Sequence, residues 1–253
     1  MTIWCAIFFG ALQGLTEFLP VSSSGHLVLF QNIFGIQADF LFFSVLLHLA
    51  TLFAVVLVLW KDIKHLFLHP FGKEAQMLYT ATLPTVLIVL FFQGFFESAF
   101  SGMLLPVCFM ITAVLLFLTE ILAKKSSGKI TFKTSFITGV AQGFAVLPGI
   151  SRSGATICTA VLLGVDRGRA SRFSFILSIP IILASMAYEI LGGVTSGEEV
   201  LTLPILPTIL AFLSAFIVGV LSVKFMLGAF QKIRLWWFSI YLAILSVISL
   251  FII

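Results

Sequence analysis

The sequence predicts an all-α, polytopic membrane protein built as an inverted-topology repeat, each half one re-entrant helical hairpin plus three transmembrane helices. The first observation behind this is composition. Of 253 residues, 60% are hydrophobic and only 9% charged, against roughly 25% charged in a soluble domain. So few charges cannot cover a water-facing surface, whereas a lipid-facing one needs hardly any. The second is a pair of Ser/Gly-rich breaks inside apolar segments, and the third is that these breaks match each other.

Apolar runs of about 20 residues, the length that spans a bilayer, lie at 40–60, 77–96, 102–122, 173–192, 204–227 and 236–253. Residues 3–34 and 134–165 differ. Each is two half-length apolar pieces around a polar break, Pro20-Val21-Ser22-Ser23-Ser24-Gly25 and Pro148-Gly149-Ile150-Ser151-Arg152-Ser153-Gly154. Irregular polar backbone at membrane depth is tolerated only within protein or along a watery cavity. Both regions therefore read as re-entrant hairpins.

Gln13-Gly14 aligns with Gln142-Gly143, Ser22 with Ser151, Ser24 with Ser153, Gly25 with Gly154 and Gly35 with Gly164, every pair 129 positions apart. Leu83-Pro84-Thr85-Val86-Leu87 matches Leu206-Pro207-Thr208-Ile209-Leu210 at 123. The chain thus reads as one membrane domain, 1–253, with internal repeats at about 1–122 and 134–253. Three spans per half is an odd number, so the second half sits inverted, an arrangement that brings broken helices together near the midplane.

Loop charges set the orientation. With Lys61, Asp62 and Lys64 cytoplasmic, the same side receives Lys124, Lys125, Lys129, Lys133, Arg167, Arg169, Arg172, Lys232 and Arg234. Asp39, Glu97, Glu198 and Glu199 fall opposite, with both termini, as the positive-inside rule requires. This loop placement explains the net charge of +4 without nucleic acid. Residues 3–19 have no basic lead, and Glu17 and Pro20 interrupt them, so they read as mature protein rather than a signal peptide. Cys5, Cys108 and Cys158 show neither CxxC spacing nor paired histidines, which argues against a zinc or redox centre.

Ionisable residues within the membrane are functional candidates, because burying them is costly unless they are paired or hydrated. Glu17, His26 and Arg152 stand out; Glu120 and Glu189 lie near helix ends, where side chains reach water. Gln13 and Glu17, four apart, share a helix face. Glu17 can act as a base or bind a divalent cation, and Gln13 can orient either. Ser22, Ser23 and Ser24 supply hydroxyls, Gly25 lets backbone approach a ligand, and His26 follows, which together are the parts of an activated nucleophile. In the second break the Arg152 fork suits phosphate oxygens. Ser151, Ser153, Gly154 and Thr156 add donors at a helix N-terminus, a natural anion site. An anion clamp, a cation-capable acid and a nucleophile are what phosphoryl transfer uses.

Through Gln13-Gly14-Leu15-Thr16-Glu17-Phe18-Leu19-Pro20-Val21-Ser22-Ser23-Ser24-Gly25-His26 and Leu147-Pro148-Gly149-Ile150-Ser151-Arg152-Ser153-Gly154-Ala155-Thr156, with Phe173-Ser174-Phe175 ahead of Pro180, the chain resembles the bacterial undecaprenyl-diphosphate phosphatase family associated with bacitracin resistance. The resemblance implies hydrolysis of a C55 polyprenyl diphosphate to the monophosphate at the outer face of the plasma membrane, with a divalent cation, Mg2+ or Ca2+. It implies metal binding or base catalysis by Glu17 with Gln13, and Ser23 as nucleophile. His26 would be proton carrier or rival nucleophile, and Arg152 would bind phosphate with Ser151 and Thr156.

Two positions depart from the family pattern: Gln13 stands where many members have glutamate, and Arg172 where an acidic residue often precedes Phe-Ser-Phe. A phosphatase of the phosphatidic-acid type needs a second histidine after the arginine, and no histidine follows Arg152. A polyprenyl-phosphate transporter or flippase shares the architecture but needs no nucleophile, and a homodimer is left open.

Overall fold

The structure is a computed structural model that describes residues 2–36, 40–99, 102–123, 127–196 and 204–253. Among these residues the chain is all-α. The first broken segment is α1 (Ile3–Thr16) and α2 (Ser23–Phe34), followed by α3 (Phe40–Val58), α4 (Trp60–Leu68), α5 (Lys73–Phe91), α6 (Gln93–Ala99) and α7 (Leu105–Leu122). The second is α8 (Phe132–Phe144) and α9 (Arg152–Leu162), followed by α10 (Arg167–Ser196), α11 (Ile205–Ala229) and α12 (Trp236–Ser249). Among the described residues four helices are long and apolar enough to cross a membrane, or five when α3 and α4 count as one bent span. The chain is a multi-pass membrane protein.

The half-length pieces are where the polar breaks require them. The longest, α1, has 14 residues, which at 1.5 Å each gives about 21 Å, short of a hydrocarbon core about 30 Å thick. Both breaks restart in the same way. Ser22 Oγ accepts the Gly25 N–H at 3.3 Å, and Ser151 Oγ accepts the Gly154 N–H at 3.0 Å, each satisfying a donor of the new helix. Gly35 ends α2 in the left-handed conformation, φ 63°.

Two elements differ from expectation. The run at 236–253 forms a helix of 14 residues ending at Ser249, shorter than a full span. Residues 60–68 form α4, turned 84° from α3, where the sequence reads only a charged loop.

Packing is reciprocal. Helix α1 lies mainly against α11, α8 against α5, and α7 against α12. Glycines permit these contacts: a β-carbon on Gly10 would run into the Ala211 carbonyl, and one on Gly139 into that of Ala81. A β-carbon on Gly14 would stand 3.0 Å from Val218 Cβ, and one on Gly143 2.8 Å from Ile88 Cβ. Ala81 pairs with Ala211 and Ile88 with Val218, both 130 positions apart. The contacts therefore correct the Leu-Pro-Thr match at 123, which is displaced by two helical turns. Along α11, Ala211, Ala215 and Gly219 face this packing, whereas Leu213, Ile217, Leu221 and Phe225 are exposed, an apolar stripe suited to lipid.

Loop charges gather at one end. Arg172 Nη1 donates to both Asp62 oxygens at 2.9 and 3.2 Å. Arg167 donates to Glu120 Oε2 at 2.8 Å and to the Ile233 carbonyl at 3.3 Å, and Arg169 to the Ser127 carbonyl at 2.8 Å. Arg172 thus has a defined partner, and Glu120 is the acceptor of an ion pair. Asp39, Lys124, Lys125, Glu198 and Glu199 lie outside the described residues, as do the side chains of Glu97 and Glu189.

Candidate active site

The two breaks meet in the protein interior. Gly149 N–H donates to Ser22 Oγ at 3.1 Å, and Ser153 Oγ donates to the Leu19 carbonyl at 3.0 Å. Thr112 of α7 fixes the second break from behind: its hydroxyl donates to the Gly149 carbonyl and accepts the Ser151 N–H, both at 3.1 Å. These four backbone groups of the irregular segments are thereby satisfied within the protein, as buried polar backbone requires.

At the junction lies Glu17, its side chain only 3% exposed. Oε1 forms an ion pair with Arg152 Nη2. Oε2 accepts from Ser23 Oγ at 2.5 Å and from Gln13 Nε2 at 3.0 Å. The helix face shared by Gln13 and Glu17 is therefore real, and the acid, serine and arginine of the two breaks converge. Arg152 is less enclosed than its partner, 16% against 3%. Gln13 Oε1 is buried without a hydrogen-bond partner.

Other candidates lie in the breaks but are engaged in building them. Ser151 caps α9 and touches Ser153 Oγ at 3.2 Å. Thr156 Oγ1 donates to the Arg152 carbonyl at 2.8 Å and meets Ser174 Oγ of α10 at 2.6 Å. Ser22 holds φ 67°, and Ser24 touches it at 3.4 Å. Gly25 makes room for protein: a β-carbon there would stand 2.6 Å from the Phe109 ring and 2.9 Å from Gly149 Cα. Gly154 is held close to Ser151 and Pro20.

His26 is turned away from Ser23. Its Nδ1 donates to the Ser22 carbonyl at 2.7 Å, because a carbonyl can only accept. Nε2 then accepts from Tyr241 Oη at 2.6 Å, the two rings stacked 5.7 Å apart. Both ring nitrogens are occupied. A different histidine faces the carboxylate: His48 of α3, with Nε2 3.6 Å from Glu17 Oε2. Sequence reasoning misses it, although an ionisable residue midway along a 19-residue apolar helix carries the same signal as Glu17. Thr112, Ser174 and Tyr241 give no such signal, since single hydroxyls in apolar helices commonly bond their own backbone.

The model of the family described as Bacitracin resistance protein BacA matches residues 6–248. An undecaprenyl-diphosphatase of Carboxydothermus hydrogenoformans is 42% identical over 250 residues, covering 98% of this chain and 96% of that protein. One of Christiangramia forsetii is 41% identical over 253 residues, covering 95% and 94%. One of Halothermothrix orenii is 37% identical over 254 residues, covering 98% and 96%. With its two breaks folded together around Glu17, the chain belongs to the bacitracin resistance protein BacA family.

Proposed function

We propose that this membrane protein hydrolyses undecaprenyl diphosphate to undecaprenyl phosphate and inorganic phosphate, recycling the lipid carrier of cell-wall synthesis. One observation carries the mechanism: Glu17 is held between Ser23 on one oxygen and Arg152 on the other. Ser23 Oγ bonds to the terminal phosphorus while its proton passes to Glu17 Oε2, a general-base step. The bond from that phosphorus to the bridging oxygen breaks, and undecaprenyl phosphate leaves. Water then attacks the phosphoserine, the P–Oγ bond breaks, and Glu17 returns its proton to the serine oxygen. Arg152 neutralises the equatorial phosphate oxygens throughout. Ser23 is favoured over His26 as nucleophile because only Ser23 touches the base.

Glu17 and Gln13, whose amide oxygen is buried and unpaired, would hold a divalent cation, magnesium or calcium, which when bound offsets charge on the diphosphate. The basic end of the bundle faces the cytoplasm by the positive-inside rule, which leaves the substrate entering from the outer face. The halves at about 1–122 and 134–253 are inverted copies, supported by the reciprocal packing of α1 on α11 and α8 on α5.

The test is phosphate release from farnesyl diphosphate by detergent-purified protein with magnesium or calcium, then with EDTA. Release that EDTA abolishes and a folded Arg152→Ala variant lacks is the expected result. Unchanged release by Arg152→Ala overturns the site, and no release by the unaltered protein favours a lipid transporter.

A further inference from the structure

His48 and Glu17 face each other in a way that their own hydrogen bonds do not explain. His48 Nδ1 lies 2.8 Å from the Ser44 carbonyl, so it carries the hydrogen and donates it. Nε2 faces Glu17 Oε2 from 3.6 Å, beyond the roughly 2.7–3.2 Å of an N–H···O hydrogen bond. That oxygen already accepts from Ser23 and Gln13. The two atoms thus lie side by side without a hydrogen bond between them. A third, Gln13 Oε1, is buried nearby without a partner.

A positive ion resolves all three. From these atoms we infer that His48 is a ligand of the divalent cation, with Glu17 and Gln13, through Nε2. The inference rests on the phosphatase reading and deepens it. Two ligands 3.6 Å apart are within reach of one ion that stands about 2.1 Å from each. Among the described residues no three His, Cys, Asp or Glu side chains gather into a closed metal site. The remaining positions therefore belong to diphosphate oxygens and water, as is usual for ions that serve phosphoryl transfer. His48 is also the less enclosed of the two, its side chain 25% exposed against 3% for Glu17. An imidazole among oxygen donors shifts preference from calcium and magnesium towards manganese and later transition metals.

The experiment is pulsed electron paramagnetic resonance of the whole purified protein with Mn2+ and methylenediphosphonate, a diphosphate that resists hydrolysis. Nitrogen-14 coupling of a bound imidazole is expected, and is lost in His48→Gln and His48→Ala. Mn2+ affinity falls at least about tenfold in both variants, since losing even an indirect supporter of a ligand costs that much. Ca2+ affinity of His48→Gln changes less. Phosphorus coupling without nitrogen coupling overturns the assignment, leaving His48 as an ion-pair partner only. Nitrogen coupling that persists in both variants also overturns it, as does absence of bound Mn2+. Phosphate release from farnesyl diphosphate, measured on the same samples, reports separately on the phosphatase reading.

Discussion

Gly149 donates its backbone N–H to the Ser22 hydroxyl at 3.1 Å, and this bond fastens the two breaks across 127 residues of chain. The same hydroxyl caps α2 through Gly25. Ser22→Ala leaves both donors buried and unpaired, at a cost of about 1–3 kcal/mol each. The expected outcome is a lower unfolding temperature in detergent together with slower phosphate release. An unchanged unfolding temperature would show that the bond does not hold the breaks together.

Arg152→Ala strands the Glu17 carboxylate, whose side chain is 3% exposed. Breaking a buried pair costs about 3–5 kcal/mol, while replacing both partners by apolar residues is often neutral. Stability should therefore fall in Arg152→Ala and recover in the double variant Glu17→Leu/Arg152→Met. Activity should be lost in both. Thermal unfolding beside phosphate release separates the two effects.

Arg172 gives the contrast. Its pair with Asp62 is half-exposed, and such pairs contribute about 0–1 kcal/mol. Arg172→Ala should leave unfolding and phosphate release nearly unchanged.

Ser23→Ala removes the hydroxyl on Glu17 without touching the Gly149 bond. Phosphate release should drop at least about a hundredfold, in the range of losing a positioned proton-transfer partner. Tyr241→Phe removes only the hydroxyl on His26 Nε2 and should retain far more activity. Comparable losses in the two variants would return His26 to contention as the nucleophile.

Gly139→Ala drives a methyl into the Ala81 carbonyl, and overpacking of this kind costs about 1–3 kcal/mol. Gly228 has nothing within 4 Å, so Gly228→Ala should be neutral or gain up to about 1 kcal/mol from helix propensity. Unfolding temperatures of the two variants compare them directly.

Which of these features the sequence could announce depended on what made them conspicuous. Glu17, His26 and Arg152 stood out because ionisable groups at membrane depth demand partners. Glu17 and Arg152 found each other, beside Ser23, whereas His26 is held by Ser22 and Tyr241. The alignment of α5 with α11 did not stand out, because a Leu-Pro-Thr match between apolar helices is weakly informative. Residues lacking side-chain bulk, Gly10 and Gly139, decide where the helices touch. Helix α4 was hidden by Lys61, Asp62 and Lys64, which read as a loop although one face of the helix buries Ile63. Ser151 and Thr156 had the right composition for an anion site, but their hydroxyls serve the backbone around them.

Ser23 and Arg152 are 129 positions apart, the interval that relates the two breaks. Aligned places in the two breaks thus approach one carboxylate from either side, a hydroxyl on one oxygen and a guanidinium on the other. The position 129 residues after Glu17 is Val146. Two identical hairpins meeting in this way would offer two serines or two arginines, never one of each. This site therefore needs the difference between the two breaks that one polypeptide carries, and a symmetric pair of identical hairpins could not reproduce it.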